Sequence, residues 1–291
     1  MSKKTSLFIV FISYVFAVLS GWYYLQFHGT GEILFDILIA DIIATIVIYL
    51  ASVIFKNSSI YDPYWSVIPP IILIYFISYL DVDLFNIKSI LLVVNVFLWS
   101  IRLTSNWIKG WEGLSQEDWR YVDMREYSGK YFELSNFSGI HLFPTLIVFA
   151  CCVPMYYALL YIDFLSVFVI FGFLVSFVGV VYEYISDYQL YQFKKENSGS
   201  KSIIEKGLWK YSRHPNYWGE ILFWWGLYLY AIGISHYILI LAPISMTVMF
   251  LYVSIPWIEH KILRNRPQYK SYQERVNILV PEFGYLKKKF F

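Results

Sequence analysis

Residues 7–27 read LFIVFISYVFAVLSGWYYLQF, and residues 32–55 read EILFDILIADIIATIVIYLASVIF. Each run is close to the ~20 apolar residues that a helix needs to cross a bilayer core, and together they decide the fold class. Working outward, six further candidates follow at 65–80, 88–108, 140–161, 164–193, 216–234 and 236–258. The third carries Pro69-Pro70, which predicts a break or kink. The expectation is an all-α, polytopic transmembrane helix bundle of 7–8 spans, a single integral membrane domain over residues 1–291.

Composition agrees. The chain is 58% hydrophobic, 21% aromatic and 15% charged, against about 25% charged in soluble domains. A net charge of +2 implies no strongly charged partner, and in particular no nucleic acid. Cys151 and Cys152 are adjacent within an apolar run and read as small core residues. The run that starts at Leu7 is longer than the ~7–15 apolar residues of a signal peptide, which predicts a retained helix.

Lysine and arginine segregate. With eight spans, one side holds both termini and nearly all the cations, among them Lys56, Lys109, Arg120, Arg125, Lys206 and Lys210. The opposite side holds Lys88 beside Asp81, Asp83 and Asp163. This asymmetry predicts that both termini are cytosolic. The long polar segments 109–139, 194–215 and 259–291 fall on that side, so function is expected at the cytosolic mouth of the bundle.

Ionisable residues inside spans are costly and usually line a bundle interior or a wet cavity. Glu183, Asp187, Tyr191 and Lys194 recur at helical intervals on the sixth span, with Gln192 nearby. Their carboxylates suit ribose or amide hydrogen bonds, and the terminal lysine suits phosphate. Arg213, Asn216 and Glu220 share a face at the entry to the seventh span, with His214 and Tyr217 beside them. Pro215 fits the first turn of a helix there, and a helix N-terminus flanked by Arg213 and His214 suits an anion. Asn95, Arg102, Asn106 and Lys109 form a stripe on the fourth span, where Arg102 either snorkels or faces a cavity. Ahead of the third span, Asp62 reads as an N-cap with Pro63 at the first helical position. Asp36 and Asp41 do not share a face and receive no role. No Rossmann or P-loop glycine pattern and no metal-binding histidine pair occurs, so no metal is expected and a nucleotide would bind outside those frameworks.

The run Gly207-Leu208-Trp209-Lys210-Tyr211-Ser212-Arg213-His214-Pro215-Asn216-Tyr217-Trp218-Gly219-Glu220 resembles the DUF1295 family, a branch of the steroid 5α-reductase superfamily. Tyr61 to Trp65, Glu117 to Tyr121, Glu183 to Phe193, Pro256 to Glu259 and Arg266 to Tyr272 are similar as well, so the likeness covers about 60–291. The resemblance implies a membrane reductase that uses NADPH to reduce a C=C bond in a hydrophobic lipid or steroid-like enone. It implies cofactor contacts at Glu183, Asp187, Gln192, Lys194, Arg213, His214, Asn216, Tyr217 and Glu220, with His260, Arg264, Tyr269 and Tyr272. Asp62 with Tyr61 or Tyr64 would polarise the substrate carbonyl, and Trp99, Arg102 and Asn106 would line the substrate cavity. Steroid reductases pair their acid with a tyrosine whose place here is taken by Trp99, and an indole is no substitute for a phenolic acid. The Arg213-His214-Pro215 stretch also resembles isoprenylcysteine carboxyl methyltransferases, which implies S-adenosylmethionine instead. A non-catalytic lipid-binding protein is the third alternative. The expected partners are a hydrophobic small molecule and membrane lipids, in the endoplasmic reticulum of a eukaryote or the plasma membrane of a bacterium.

Overall fold

A computed structural model describes residues 1–161, 167–232 and 237–281. Among the described residues every regular element is helical. Seven helical stretches are long and apolar enough to cross a membrane: Lys3–Phe27, Ile33–Phe55, Ser58–Tyr79, Ile87–Gly110, Trp119–Leu160, Val167–Glu196 and Tyr237–Asn265. The protein is an all-α polytopic membrane bundle. Its chain divides into two compact units, Met1–Asp163 and Phe164–Phe291.

The first unit contains α1 (Lys3–Phe27), α2 (Ile33–Phe55), α3 (Tyr64–Tyr79), α4 (Ile87–Gly110), α5 (Trp119–Ser128), α6 (Phe132–Ser135) and α7 (Phe143–Leu160). A π-helical segment, Asn136–Leu142, joins α6 to α7. Short polar side chains open several helices: Ser2 accepts from the Thr5 N–H, Asn86 from Lys88 and Asp118 from Arg120. The break predicted at Pro69-Pro70 does not occur, because α3 runs through both prolines. Pro70 has no N–H to offer the Ser66 carbonyl one turn back, and Ser100 Oγ of α4 donates to that carbonyl at 2.6 Å. Nor does Asp62 cap α3: the N-cap is Pro63, with no side-chain cap bond. Asp36 and Asp41 also gain roles. Asp36 accepts the Thr30 and Gly31 N–H groups at 2.9 Å each, pinning the turn into α2. Asp41 accepts the Tyr64 hydroxyl at 2.7 Å, tying α2 to α3.

The second unit contains α8 (Val167–Glu196), α9 (Pro215–Leu229), α10 (Leu241–Met249), α11 (Ile255–Asn265) and α12 (Tyr269–Arg275), with a π-helical segment, Phe250–Ser254, between α10 and α11. The span expected at 216–234 corresponds to α9, which has 15 residues. At 1.5 Å per residue it is about 22 Å long, short of the ~30 Å hydrocarbon core. Positions 233 and 234 lie outside the described residues, as do 164–166 and 236 of the neighbouring expected spans.

α9 nonetheless retraces α8 in the opposite direction. A Cβ on Gly179 would lie 2.6 Å from the Gly219 carbonyl, and one on Gly172 would lie 2.9 Å from the Gly226 carbonyl. Gly172, Ser176, Gly179, Glu183 and Ser186 form the buried stripe of α8 at alternating spacings of four and three. Small residues let two backbones approach in lipid, where packing rather than the hydrophobic effect drives helix association. Ser176 Oγ adds a hydrogen bond to the Phe223 carbonyl at 3.0 Å. Gly179→Ala is therefore expected to cost about 1–3 kcal/mol through forced separation of the pair. Gly110→Ala, whose added methyl meets nothing within 4 Å, is the control. Unfolding of both variants in detergent measures the difference.

Candidate functional site

In the first unit, two loops that are far apart in sequence are stitched together. Asn57 Nδ2 donates to the Leu114 and Gln116 carbonyls at 3.0 Å each. The Ser58 N–H donates to Glu117 Oε1 at 2.8 Å, and the Asp118 N–H donates to Ser59 Oγ at 2.7 Å. These bonds bring the Tyr61–Trp65 and Glu117–Tyr121 segments side by side. Tyr121 OH then donates to Asp62 Oδ1 at 2.5 Å, and Arg120 Nη2 lies 3.8 Å from the same oxygen. Arg120 is itself braced by Asp118, with Nε 2.8 Å from Oδ1. The product is an acid–phenol pair with an adjacent guanidinium.

The other residues expected here have different partners. Tyr61 OH bonds to Thr145 Oγ1 at 2.9 Å, while Tyr64 OH goes to Asp41. Their rings stack at 5.1 Å, so both tyrosines belong to the buried core behind Asp62. Along α4, Trp99 is fully buried, Arg102 is half-buried and Asn106 is exposed. The helix thus passes from core to surface toward its C-terminal end.

In the second unit, Glu183 is buried against Gly219: a Cβ there would lie 2.5 Å from Glu183 Cγ. The stripe then climbs outward, with Asp187 and Gln192 half-buried and Lys194 exposed. Gly207, at φ +58°, turns the chain back toward α9, and a side chain there would strike the Gln189 carboxamide. Gln189 Oε1 accepts the Leu208 N–H at 2.9 Å, and Trp209 Nε1 donates to the Ser186 carbonyl at 3.1 Å. Pro215 opens α9 as expected. Asn216 and Tyr217 are half-buried in its first turn, and Glu220 Oε1 accepts the Trp224 indole N–H at 2.9 Å.

Arg213 and His214 do not face outward toward an anion. Both close on Glu259 of α11. Arg213 Nε lies 2.7 Å and His214 Nε2 2.9 Å from Glu259 Oε1. Tyr269 OH donates to the same oxygen at 3.1 Å, and Gln273 Nε2 donates to Oε2 at 2.7 Å. Arg213 Nη1 also donates to the Gln273 and Val276 carbonyls, at 2.9 and 3.0 Å. Tyr272 OH donates to the Trp209 carbonyl. One carboxylate therefore gathers the Arg-His-Pro loop, α11 and α12. His260 and Arg264 lie on the exposed side of α11. Burial holds the His214 pKa below 6.5, opposed by its bond to Glu259. Burial, reinforced by the Glu259 charge, raises the Tyr269 phenol well above its usual range.

Two of these partners escaped the sequence. Tyr121 and Glu259 both stand in segments that carry the family likeness, but their roles come from partners about 60 and 46 residues away. The available signal at Glu259 was a carboxylate within a mostly apolar run, Pro256 to Ile258, the same signal that singled out Glu183 and Glu220.

The fold and these clusters define a class: a helical membrane protein with a part-buried acid–phenol pair in one unit and a carboxylate hub in the other. The family described as "protein of unknown function (DUF1295)" matches residues 48–276, and the chain belongs to it. An uncharacterized protein of Schizosaccharomyces pombe, C594.04c, is 26% identical over 288 residues, covering 88% of this chain and 81% of that protein. No solved structure matches the chain.

Two outcomes follow from the hub. Glu259→Ala strands Arg213 and His214 in a buried site and is expected to cost about 3–5 kcal/mol, whereas Arg275→Ala, which removes an exposed pair with Glu205, costs about 0–1 kcal/mol. Folding also carries a pH signature. The folded His214 pKa lies below the value near 6.5 at which the unfolded chain protonates it, because burial disfavours the charged ring. Its contribution is complete above pH 6.5 and is lost as pH falls from there toward the lower folded pKa. Thermal unfolding between pH 7.5 and 5.5 is expected to show that decline, flattened in His214→Gln.

Proposed function

We propose that this protein is a membrane-embedded oxidoreductase of the steroid 5α-reductase superfamily, using NADPH to reduce a C=C bond conjugated to a carbonyl in a hydrophobic lipid or steroid-like substrate. The observation that carries the proposal is the Asp62–Tyr121 pair at 2.5 Å with Arg120 beside it. Reduction of an enone places negative charge on the carbonyl oxygen in the transition state, and a phenol braced by a carboxyl group is suited to meet it. The fourth-span position of the superfamily's tyrosine holds Trp99, and in this proposal Tyr121 supplies the missing phenol.

The chain's own donor set is compatible with a dinucleotide. Glu183, Asp187, Gln192 and Asn216 offer acceptors and donors for ribose hydroxyls and a carboxamide. Lys194, His260 and Arg264 offer exposed cationic or hydrogen-bonding groups for phosphates. Arg213 and His214 take a supporting part, since Glu259 holds the Arg-His-Pro loop and so fixes where α9 begins. NADPH, when bound, supplies the hydride. Asp62, when protonated, would donate to the Tyr121 oxygen and free the phenol O–H to hydrogen-bond and then protonate the carbonyl oxygen. The Asp62 proton replaces the one Tyr121 gives up, Asp62 is left as the carboxylate, and the enol ketonises. Arg120 limits the charge left on Asp62. The lysine asymmetry and the polar loops support a cytosolic position for the cofactor-binding residues.

The methyltransferase alternative shares the Arg-His-Pro stretch, so the cofactor decides between them. Thermal shift of the purified protein is expected to show saturable stabilisation by NADPH and none by S-adenosylmethionine. Glu183→Gln and Asn216→Ala should each weaken NADPH binding about tenfold, the effect of losing ~1.4 kcal/mol. Stabilisation by S-adenosylmethionine alone would transfer the protein to the methyltransferase class. Stabilisation by neither would sink the enzymatic proposal.

A further inference from the structure

Beside the Glu259 hub, the second unit contains a cavity of about 370 Å³. Trp218 and Ile221 of α9 form one wall, Thr247 and Leu251 a second, and residues 277–280 the third. This is within the range of small-molecule pockets, about 300–1,000 Å³. Its chemistry is one-sided. Thr247 is the only hydroxyl, and both of its roles are taken, since it donates to the Pro243 carbonyl at 2.7 Å and accepts the Trp225 indole N–H at 3.1 Å. At Asn277 the backbone carbonyl takes the Arg213 N–H at 2.9 Å. Beyond these groups and the Asn277 carboxamide, the lining is indole and aliphatic surface.

The third wall is not helical, and Arg213 fixes it. The Arg213 main chain binds the Asn277 carbonyl while its guanidinium binds the Val276 carbonyl at 3.0 Å. The same guanidinium is anchored to Glu259. A segment that would otherwise be free to collapse onto α9 is thereby held at a set distance from it. The second wall belongs to the candidate membrane span Tyr237–Asn265, which also exposes Leu241, Val248 and Tyr252. Leu251 sits in the π-helical segment of that span, a local widening often found at functional sites.

We infer that this cavity binds the linear hydrocarbon chain of a membrane lipid, and that Arg213 acts as a positioning residue that holds its third wall in place. The inference stands independently of the reductase proposal, because it concerns chain binding and needs no NADPH. The occupant would enter beside the exposed Leu241, Val248 and Tyr252 of that span. Its headgroup stays outside the cavity.

The test uses the full-length protein in nanodiscs with two photoreactive probes that carry the same diazirine-bearing palmitoyl chain. One probe is the free fatty acid and the other is a phosphatidylcholine. After irradiation without NADPH, adducts are mapped by mass spectrometry. Adducts concentrated on peptides containing Trp218, Leu251 and 277–280 are expected. Leu251→Trp, which fills the cavity, should lower their yield at least fivefold, and Ile278→Trp should do the same from the opposite wall if the first variant is unstable. Arg213→Lys keeps the charge but not the fork, and should broaden the adduct distribution without abolishing it. The probe that labels identifies the source of the chain. Adducts spread evenly over lipid-facing helices by both probes, or cavity labelling untouched by either tryptophan, would overturn the inference.

Discussion

A polar group inside a lipid-embedded bundle has little water to fall back on, so partners within the protein are strongly favoured. The pattern of internal bonds follows from this constraint. The Ser66 carbonyl, left open by Pro70, is closed by Ser100 from the next helix. Asp41 is closed by Tyr64, and the Tyr61 hydroxyl by Thr145, which also meets Thr45 at 2.9 Å. Where several charged groups are buried together the same rule builds clusters. Asp62 collects Tyr121 and Arg120, and Glu259 collects Arg213, His214, Tyr269 and Gln273. Charged groups in such surroundings are expensive, and proteins keep them where chemistry or precise positioning requires them.

The two clusters differ in a way that bears on their roles. Around Glu259 the donors outnumber the available lone pairs of a single oxygen, and most members are deeply buried. That arrangement suits a fixed joint, with Arg213 acting as the strut between the hub and the wall at 276–277. The acid–phenol pair is more open, with the Asp62 side chain at 15% and that of Arg120 at 39% exposure. A half-buried guanidinium beside a more shielded carboxylate has more room to rearrange than the members of the Glu259 cluster.

How much of this was legible in the sequence varies by residue. Hydrophobic length located the seven stretches that, among the described residues, are long and apolar enough to span, because lipid demands long apolar runs and little else resembles them. The eighth expected span corresponds to α9, whose 15 described residues lie against α8. The Gly172–Ser186 stripe of α8 was present in the sequence, but its small residues carry little signal until the partner glycines at 219 and 226 are known. The helix-boundary logic worked at Pro215 and failed by one residue at Asp62, whose carboxylate was drawn to Tyr121 instead of to its own helix. Arg213 and His214 looked like anion ligands because local sequence shows a helix N-terminus and two cations. It does not show that a carboxylate on a later helix turns them inward. Local rules see helices, turns and caps. They do not see pairings such as 62 with 121 or 213 with 259, and the candidate sites are made of those.

The central claim is that the acid–phenol pair assists hydride addition to a hydrophobic enone. Membranes containing the protein should be incubated with NADPH deuterated at its transferable position, and the extracted lipids examined by mass spectrometry. Deuterium is expected at carbon in a reduced lipid, dependent on the protein and lost in Asp62→Asn and Tyr121→Phe with the bundle still folded. Deuterium transfer that persists unchanged in both variants, or no transfer to any lipid from a protein that binds NADPH, would contradict it.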